Sequence, residues 1–194
     1  MQQQRKATQF IVFAGVLAAL SAILYFFEFP LIPGVAFLKV DLSDWPAAVA
    51  GVMLGPAAAV VVELIKTIIH VCTRGFGDTM GFGDLINFIV GVALTVPLSA
   101  VLRASLKRGR SRWLSVLLAG AAGMAAMALA GVAANYLIAP PYFQFFLHVK
   151  LTSAILWAEI GSATVLNVAK SVIIAALMAP VIALGKKRLI LFPA

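Results

Sequence analysis

Apolar residues fill this chain in long blocks, and polar ones are confined to the short gaps between them. Such blocks run from Thr8 to about Phe27, Pro56 to Cys72, Asp84 to Arg103, Trp113 to Ile138 and Leu156 to Leu184. Each approaches or exceeds the roughly 20 residues that an α-helix needs to cross a bilayer. One further block, Trp45 to Leu54, is much shorter and stops at Gly55-Pro56. At about 1.5 Å per residue it covers only half of a ~30 Å hydrocarbon core. The pattern predicts an all-α integral membrane protein of six transmembrane helices, the second short, forming a single membrane-embedded domain over residues 1–194. A half-length helix at membrane depth is tolerated where protein buries it or where it lines a cavity. The second helix therefore points to a ligand cavity.

The gaps carry the expected breakers. Pro30, Pro33 and Gly34 mark residues 28–44 as a loop. Ser43 or Asp44 is placed to cap the second helix, with Pro46 in its first turn, and Asp84 after Gly83 reads as the cap of the fourth. Residues 73–83 are rich in glycine, Pro140-Pro141 ends the fifth helix, and residues 141–155 are aromatic and amphipathic, as at a membrane interface. The aromatics Trp45, Tyr136, Tyr142, Phe143 and Trp157 fall toward that same interface, most of them as belt anchors. The first block follows Arg5 and Lys6, as a signal peptide would. It is longer than an h-region of about 7–15 residues, so it reads as a retained helix. Along it, Ala14, Ala18 and Ala22 form a smooth face that lets another helix approach closely, either within this chain or as a docking face for a partner.

Composition sharpens the membrane reading. The chain is 63% hydrophobic and 11% charged, against about 45–50% apolar in soluble domains. Mean hydropathy is +1.06. The formal charge of +8 is distributed unevenly. One set of gaps and ends holds Arg5, Lys6, Arg103, Lys107, Arg108, Arg110, Arg112, Lys186, Lys187 and Arg188, whereas the other holds Lys39, Arg74 and Lys150. That bias places both termini in the cytoplasm and argues against nucleic acid as a partner. A lone cysteine, Cys72, excludes an intramolecular disulfide and a Cys-based metal site. There is no P-loop, no paired-His or Cys/His metal spacing and no Gly-x-Ser-x-Gly, so no catalytic or metal-binding residues and no enzymatic activity are expected.

Candidate chemistry lies inside the apolar blocks, where each ionisable side chain costs roughly 3 kcal/mol or more. Glu63 and Lys66 are three apart and share a helix face with His70, either as a structural ion pair or facing a polar ligand. Lys170 follows Asn167 at the same spacing but has no acidic neighbour on its own helix. It needs a partner from elsewhere, or a ligand's polar edge. Asn87 and Asn135 add amides that both donate and accept, which suits a heterocycle such as a flavin, pterin or pyrimidine. Each of them taken alone is more often a helix-packing hydrogen bond.

The segment FLKVDLSDWPAAVAGVMLGPAAAVVVELIKTIIH, residues 37–70, resembles the signature region of riboflavin-specific substrate-binding components (S-components) of energy-coupling factor (ECF) transporters. GDLINFIVGVALTVPLSAVLR (83–103), Ala-Asn-Tyr (134–136) and Leu-Asn-Val-Ala-Lys (166–170) are similar to that family's fourth, fifth and sixth helices. Leu166 stands where many relatives have an aromatic residue, a departure that bears on ring stacking. The resemblance implies a multi-pass protein of the prokaryotic cytoplasmic membrane that takes riboflavin near its outer surface, as transported ligand and not as cofactor. It implies uptake through a transmembrane coupling protein and two ATPase subunits. By the same resemblance Asn135, Asn167 and Lys170 contact the isoalloxazine ring, Leu38, Lys39 and Asp41 approach the ligand from the first loop, and Glu63 and Asn87 are further contacts. The Ala14, Ala18 and Ala22 face corresponds to the surface offered to the coupling protein. The rival readings are an S-component for thiamine, folate, biotin or a pyridoxal relative, and a non-transporting membrane scaffold or intramembrane enzyme subunit.

Overall fold

The computed structural model describes residues 2–27, 29–30, 39–76 and 80–185. Seven helices are described: α1 (Gln2–Phe26), α2 (Asp44–Leu54), α3 (Pro56–Arg74), α4 (Phe82–Lys107), α5 (Arg112–Leu137), α6 (Ala139–Phe146) and α7 (Ser153–Gly185). Two short strands, β1 (Phe29–Pro30) and β2 (Lys39–Val40), pair antiparallel before α2. Among the described residues, α1, α3, α4, α5 and α7 are long and apolar enough to cross a membrane. With 11 residues, α2 is not. The aromatic stretch after Pro140 contains a helix, α6, that the sequence pattern assigns only to the interface.

The break between α2 and α3 follows from two residues. Gly55 takes φ 120°, a conformation that side-chain-bearing residues avoid, and Pro56 opens α3 with its φ already set for a helix. The chain thus folds α2 back against α3, and both lie along α4. Close approach needs small residues: a Cβ on Gly51 of α2 would stand 2.6 Å from Ser99 Oγ of α4. A Cβ on Gly123 of α5 would stand 2.8 Å from the Leu94 carbonyl oxygen of α4, and one on Gly120 2.8 Å from Ala175 of α7. Around these contacts Val52, Leu94, Leu98, Leu102, Met127, Ile174, Met178 and Ile182 form the main apolar core. Pro97 and Pro180 lie within α4 and α7 without ending them.

A second cluster joins α1 to the α2–α3 pair. Ala14 and Ala18 pack there with Ala47, Ala50, Leu54, Ala58 and Val62, and Ala22 is buried one turn further along. The alanine stripe of α1 therefore faces inward, which is the internal-packing alternative for it and leaves no exposed docking surface at these three residues. The opposite face of α1, with Ile11, Val12, Val16 and Ile23, is exposed.

Both cap assignments are corrected. Ser43 occupies the N-cap position of α2, but its side chain makes no capping bond and is engaged by charged neighbours instead. The fourth helix starts at Phe82, so Asp84 sits inside its first turn and spends its carboxylate on tertiary partners. For Ser43, a bond to a charged neighbour is stronger than a neutral cap bond to a backbone N–H.

Candidate functional site

The segment entering α2, α2 itself, α3 and α7 bring five ionisable side chains into one buried cluster. Lys66 of α3 lies 2.6 Å from Asp44 Oδ1 at the start of α2 and 2.5 Å from Glu63 Oε2 on its own helix. Lys170 of α7 lies 2.8 Å from Asp44 Oδ2 and 3.1 Å from Asp41 Oδ2. Asp44 thus bridges both lysines. Glu63, Lys66 and Asp44 are completely buried, and Asp41 and Lys170 nearly so. Ser43 knits the cluster together: its N–H donates to Asp41 Oδ1 at 2.8 Å, its hydroxyl also reaches that oxygen, and Lys66 donates to its Oγ at 3.0 Å. From α1, the Ser21 hydroxyl donates to the Ser43 carbonyl at 2.5 Å. Burial alone disfavours a charged Asp41. Lys170, then Lys66, and the hydrogen bonds from Ser43 outweigh it and hold the carboxyl well below the usual carboxylate range.

The amides approach the same level. Asn87 of α4 extends Nδ2 to 3.5 Å from Asp41 Oδ2, while its Oδ1 is buried without a partner. Asn135 of α5 donates to the Gly131 carbonyl one turn back, at 2.9 Å. Asn167 of α7 packs on the same glycine, whose Cβ, were there one, would stand 2.8 Å from Asn167 Nδ2. Gly131 is therefore the point where the two helices bring their amides together. The Trp45 indole N–H, next to Asp44, is also buried and unpartnered. Trp45 turns into the main core rather than standing at the interface as a belt anchor, because it sits at the inward-facing start of α2.

A neighbouring polar group binds α1, α3 and α4. His70 Nδ1 is 2.6 Å from Asp84 Oδ1, and the Tyr25 hydroxyl donates to that same oxygen at 3.1 Å. The Tyr25 ring stacks on His70 at 4.1 Å and receives the Lys66 ammonium at 5.3 Å. Tyr25 thus links this group to the ionic cluster. At the end of the bundle where these loops lie, Phe82 packs on Tyr142 and Phe143, and the Tyr142 hydroxyl donates to the Met80 carbonyl at 2.5 Å.

Of the residues singled out from the sequence, Asp41, Glu63, Asn87 and Lys170 meet in or beside the ionic cluster, and Asn135 and Asn167 meet at Gly131. For Lys39 only the backbone pairing with Pro30 is described, and Leu38 lies outside the described residues, as do Lys186, Lys187 and Arg188. Sequence reasoning missed Asp44 as the bridge between the lysines, and it missed Ser43, Tyr25 and Asp84. One signal was available: two intramembrane lysines need carboxylate partners, and Asp41 and Asp44, three apart before a half-length helix, are the nearest candidates by composition. An apolar dent of about 250 Å³ between α4 and α5, lined by residues such as Ile89, Ala133 and Leu137, is separate from these polar groups.

Comparison with known proteins places this arrangement. The family model described as "ECF transporter, substrate-specific component" matches residues 9–182. The chain is 30% identical over 167 residues to the riboflavin transporter FmnP of Bacillus subtilis, covering 84% of this chain and 85% of that protein. It is 30% identical over 139 residues to the riboflavin transporter RibU of Streptococcus thermophilus, covering 72% of this chain and 64% of that protein. A solved structure described as the S component of a bacterial ECF transporter aligns with a TM-score of 0.68 over 91% of this chain and 95% of that one. Sequence identity to it is 17%, so this likeness is one of fold.

Proposed function

This chain belongs to the substrate-specific components of ECF transporters, and we propose that it captures riboflavin at the outer face of the cell membrane. As a member of that family it is a multi-pass membrane protein and a transporter component, not an enzyme. It works with the membrane module of such a transporter. We take that module to be a transmembrane coupling protein with two ATPase subunits, which supply the ATP hydrolysis for which this chain has no P-loop.

The observation that carries the riboflavin reading is the convergence of three amides and a lysine from α4, α5 and α7 beside the segment entering α2. Buried donors and acceptors of both kinds, including the unpartnered Asn87 Oδ1, match the mixed edge of an isoalloxazine ring. Lys170 is pre-positioned by Asp41 and Asp44, so a ligand meets an ordered ammonium and does not have to order it. Capture involves no covalent step. Asp41 borders the ligand from the first loop, and Glu63 supports the cluster from behind. Orientation follows the basic residues, with both termini and the α4–α5 hairpin in the cytoplasm.

The test is titration of purified protein with riboflavin, read by quenching of flavin fluorescence. Saturable quenching is expected, without competition from thiamine, folate or biotin. Lys170→Ala leaves polar partners unsatisfied, at about 1–3 kcal/mol, so affinity should drop about fivefold to 150-fold. A protein that neither quenches riboflavin nor gains thermal stability from it has another ligand. Undiminished affinity in Lys170→Ala removes Lys170 from the site.

A further inference from the structure

Among the described side chains, the cluster contains three carboxyl groups and two ammonium groups, all buried within one bundle. Asp41 enters from the segment before α2, Asp44 from α2, Glu63 and Lys66 from α3, and Lys170 from α7. The groups facing the cluster from α1 and α4, Tyr25 and Asn87, bring no charge. With every group ionised, one negative charge stands uncompensated at membrane depth. An isolated buried charge is so costly that the group takes up or gives off a proton instead.

The three carboxyls are unequally supported. Asp44 has a lysine on each oxygen and sits in the first turn of α2, where the helix dipole favours an anion. Asp41 accepts from Lys170, from the Ser43 N–H and hydroxyl, and faces Asn87. Glu63 lies within α3, far from a helix N-terminus. Its Oε2 meets only Lys66, already claimed by Asp44, and its Oε1 has no partner. No counter-ion fits on its α4 side: the carboxyl lies so close to Gly91 that a Cβ there would be 2.6 Å from Oε2.

We propose that Glu63 is held as a neutral, protonated acid that positions Lys66, leaving Asp41, Asp44, Lys66 and Lys170 as a balanced set of two anions and two cations. Oε2 then stands as a carbonyl oxygen 2.5 Å from the Lys66 ammonium, and the proton resides on Oε1. Among the described side chains the site is then electrically neutral before any ligand arrives, and this holds whichever ligand it takes.

The test uses the full-length protein in detergent or nanodiscs at neutral pH. Infrared difference spectra between wild type and Glu63→Gln should show the carbonyl stretch of a protonated carboxylic acid in the wild type and its loss in the variant. Because glutamine mimics the neutral acid, Glu63→Gln should leave the thermal midpoint within a few degrees of wild type. Asp44→Asn, which strips both lysines of an anion, should lower it by roughly 10 °C. The proposal is overturned if no such band is lost, or if Glu63→Gln unfolds the protein or costs as much as Asp44→Asn. None of these readouts involves riboflavin, so they stand or fall apart from the vitamin assignment.

Discussion

A lysine in the middle of a membrane helix must be answered by an anion, and Lys170 finds two, from a segment more than 120 positions away in the chain. Its Asp41 partner also sets a pH signature. A carboxyl whose folded pKa lies below its unfolded one contributes stability above the unfolded value of about 3.9, and loses it only as pH falls through the lower folded value. For Asp41 that loss lies in strong acid. Asp41→Asn should therefore lower the thermal midpoint by the same amount at about pH 5.5 and at about pH 8. A loss that shrinks markedly at the lower pH would show that burial has raised Asp41 above the ordinary carboxylate range and that Lys170 and Lys66 do not hold it down.

Helices here meet through glycines, and the cost of filling one depends on what faces it. At Gly123 the facing atom is the Leu94 carbonyl oxygen, which is backbone and cannot swing aside. Gly123→Ala should force α4 and α5 apart at about 1–3 kcal/mol, a fall of roughly 5 °C in thermal midpoint. Gly15, on the exposed face of α1, has nothing within 4 Å of an added Cβ. Gly15→Ala should be neutral or slightly stabilising, since alanine is the better helix former. Equal losses at both positions would mean that glycine flexibility, and not close approach, is what the bundle needs. The same logic explains α2: Gly51 lets the half-length helix lie against Ser99 of α4, and Arg103 donates to the Val52 carbonyl at 2.7 Å, satisfying one acceptor at its broken end.

At the scale of the molecule, charge asymmetry predicts orientation. In a Cys72→Ser background, Arg110→Cys in the α4–α5 hairpin should react with a membrane-impermeant thiol reagent only after cells are opened. Val149→Cys, exposed between α6 and α7, should react in intact cells. The reverse pattern would invert the topology. Apolar block length was enough to read the five long helices, the short α2 and its break at Gly55-Pro56, because a bilayer imposes one length and one permitted backbone on any spanning helix. Repeated small residues were legible too, but not the direction they face: Ala14, Ala18 and Ala22 turn inward because the folded-back α2–α3 pair needs a flat neighbour. The chain by itself determined that charged and amide residues sit at membrane depth and that Glu63 can reach Lys66 within one turn. Only the tertiary structure decided that Asp44 is the bridge, that Asp84 serves His70 and Tyr25, and that Glu63 is the carboxyl left over. Ion pairing across 129 residues depends on how helices pack, and local spacing carries no record of it.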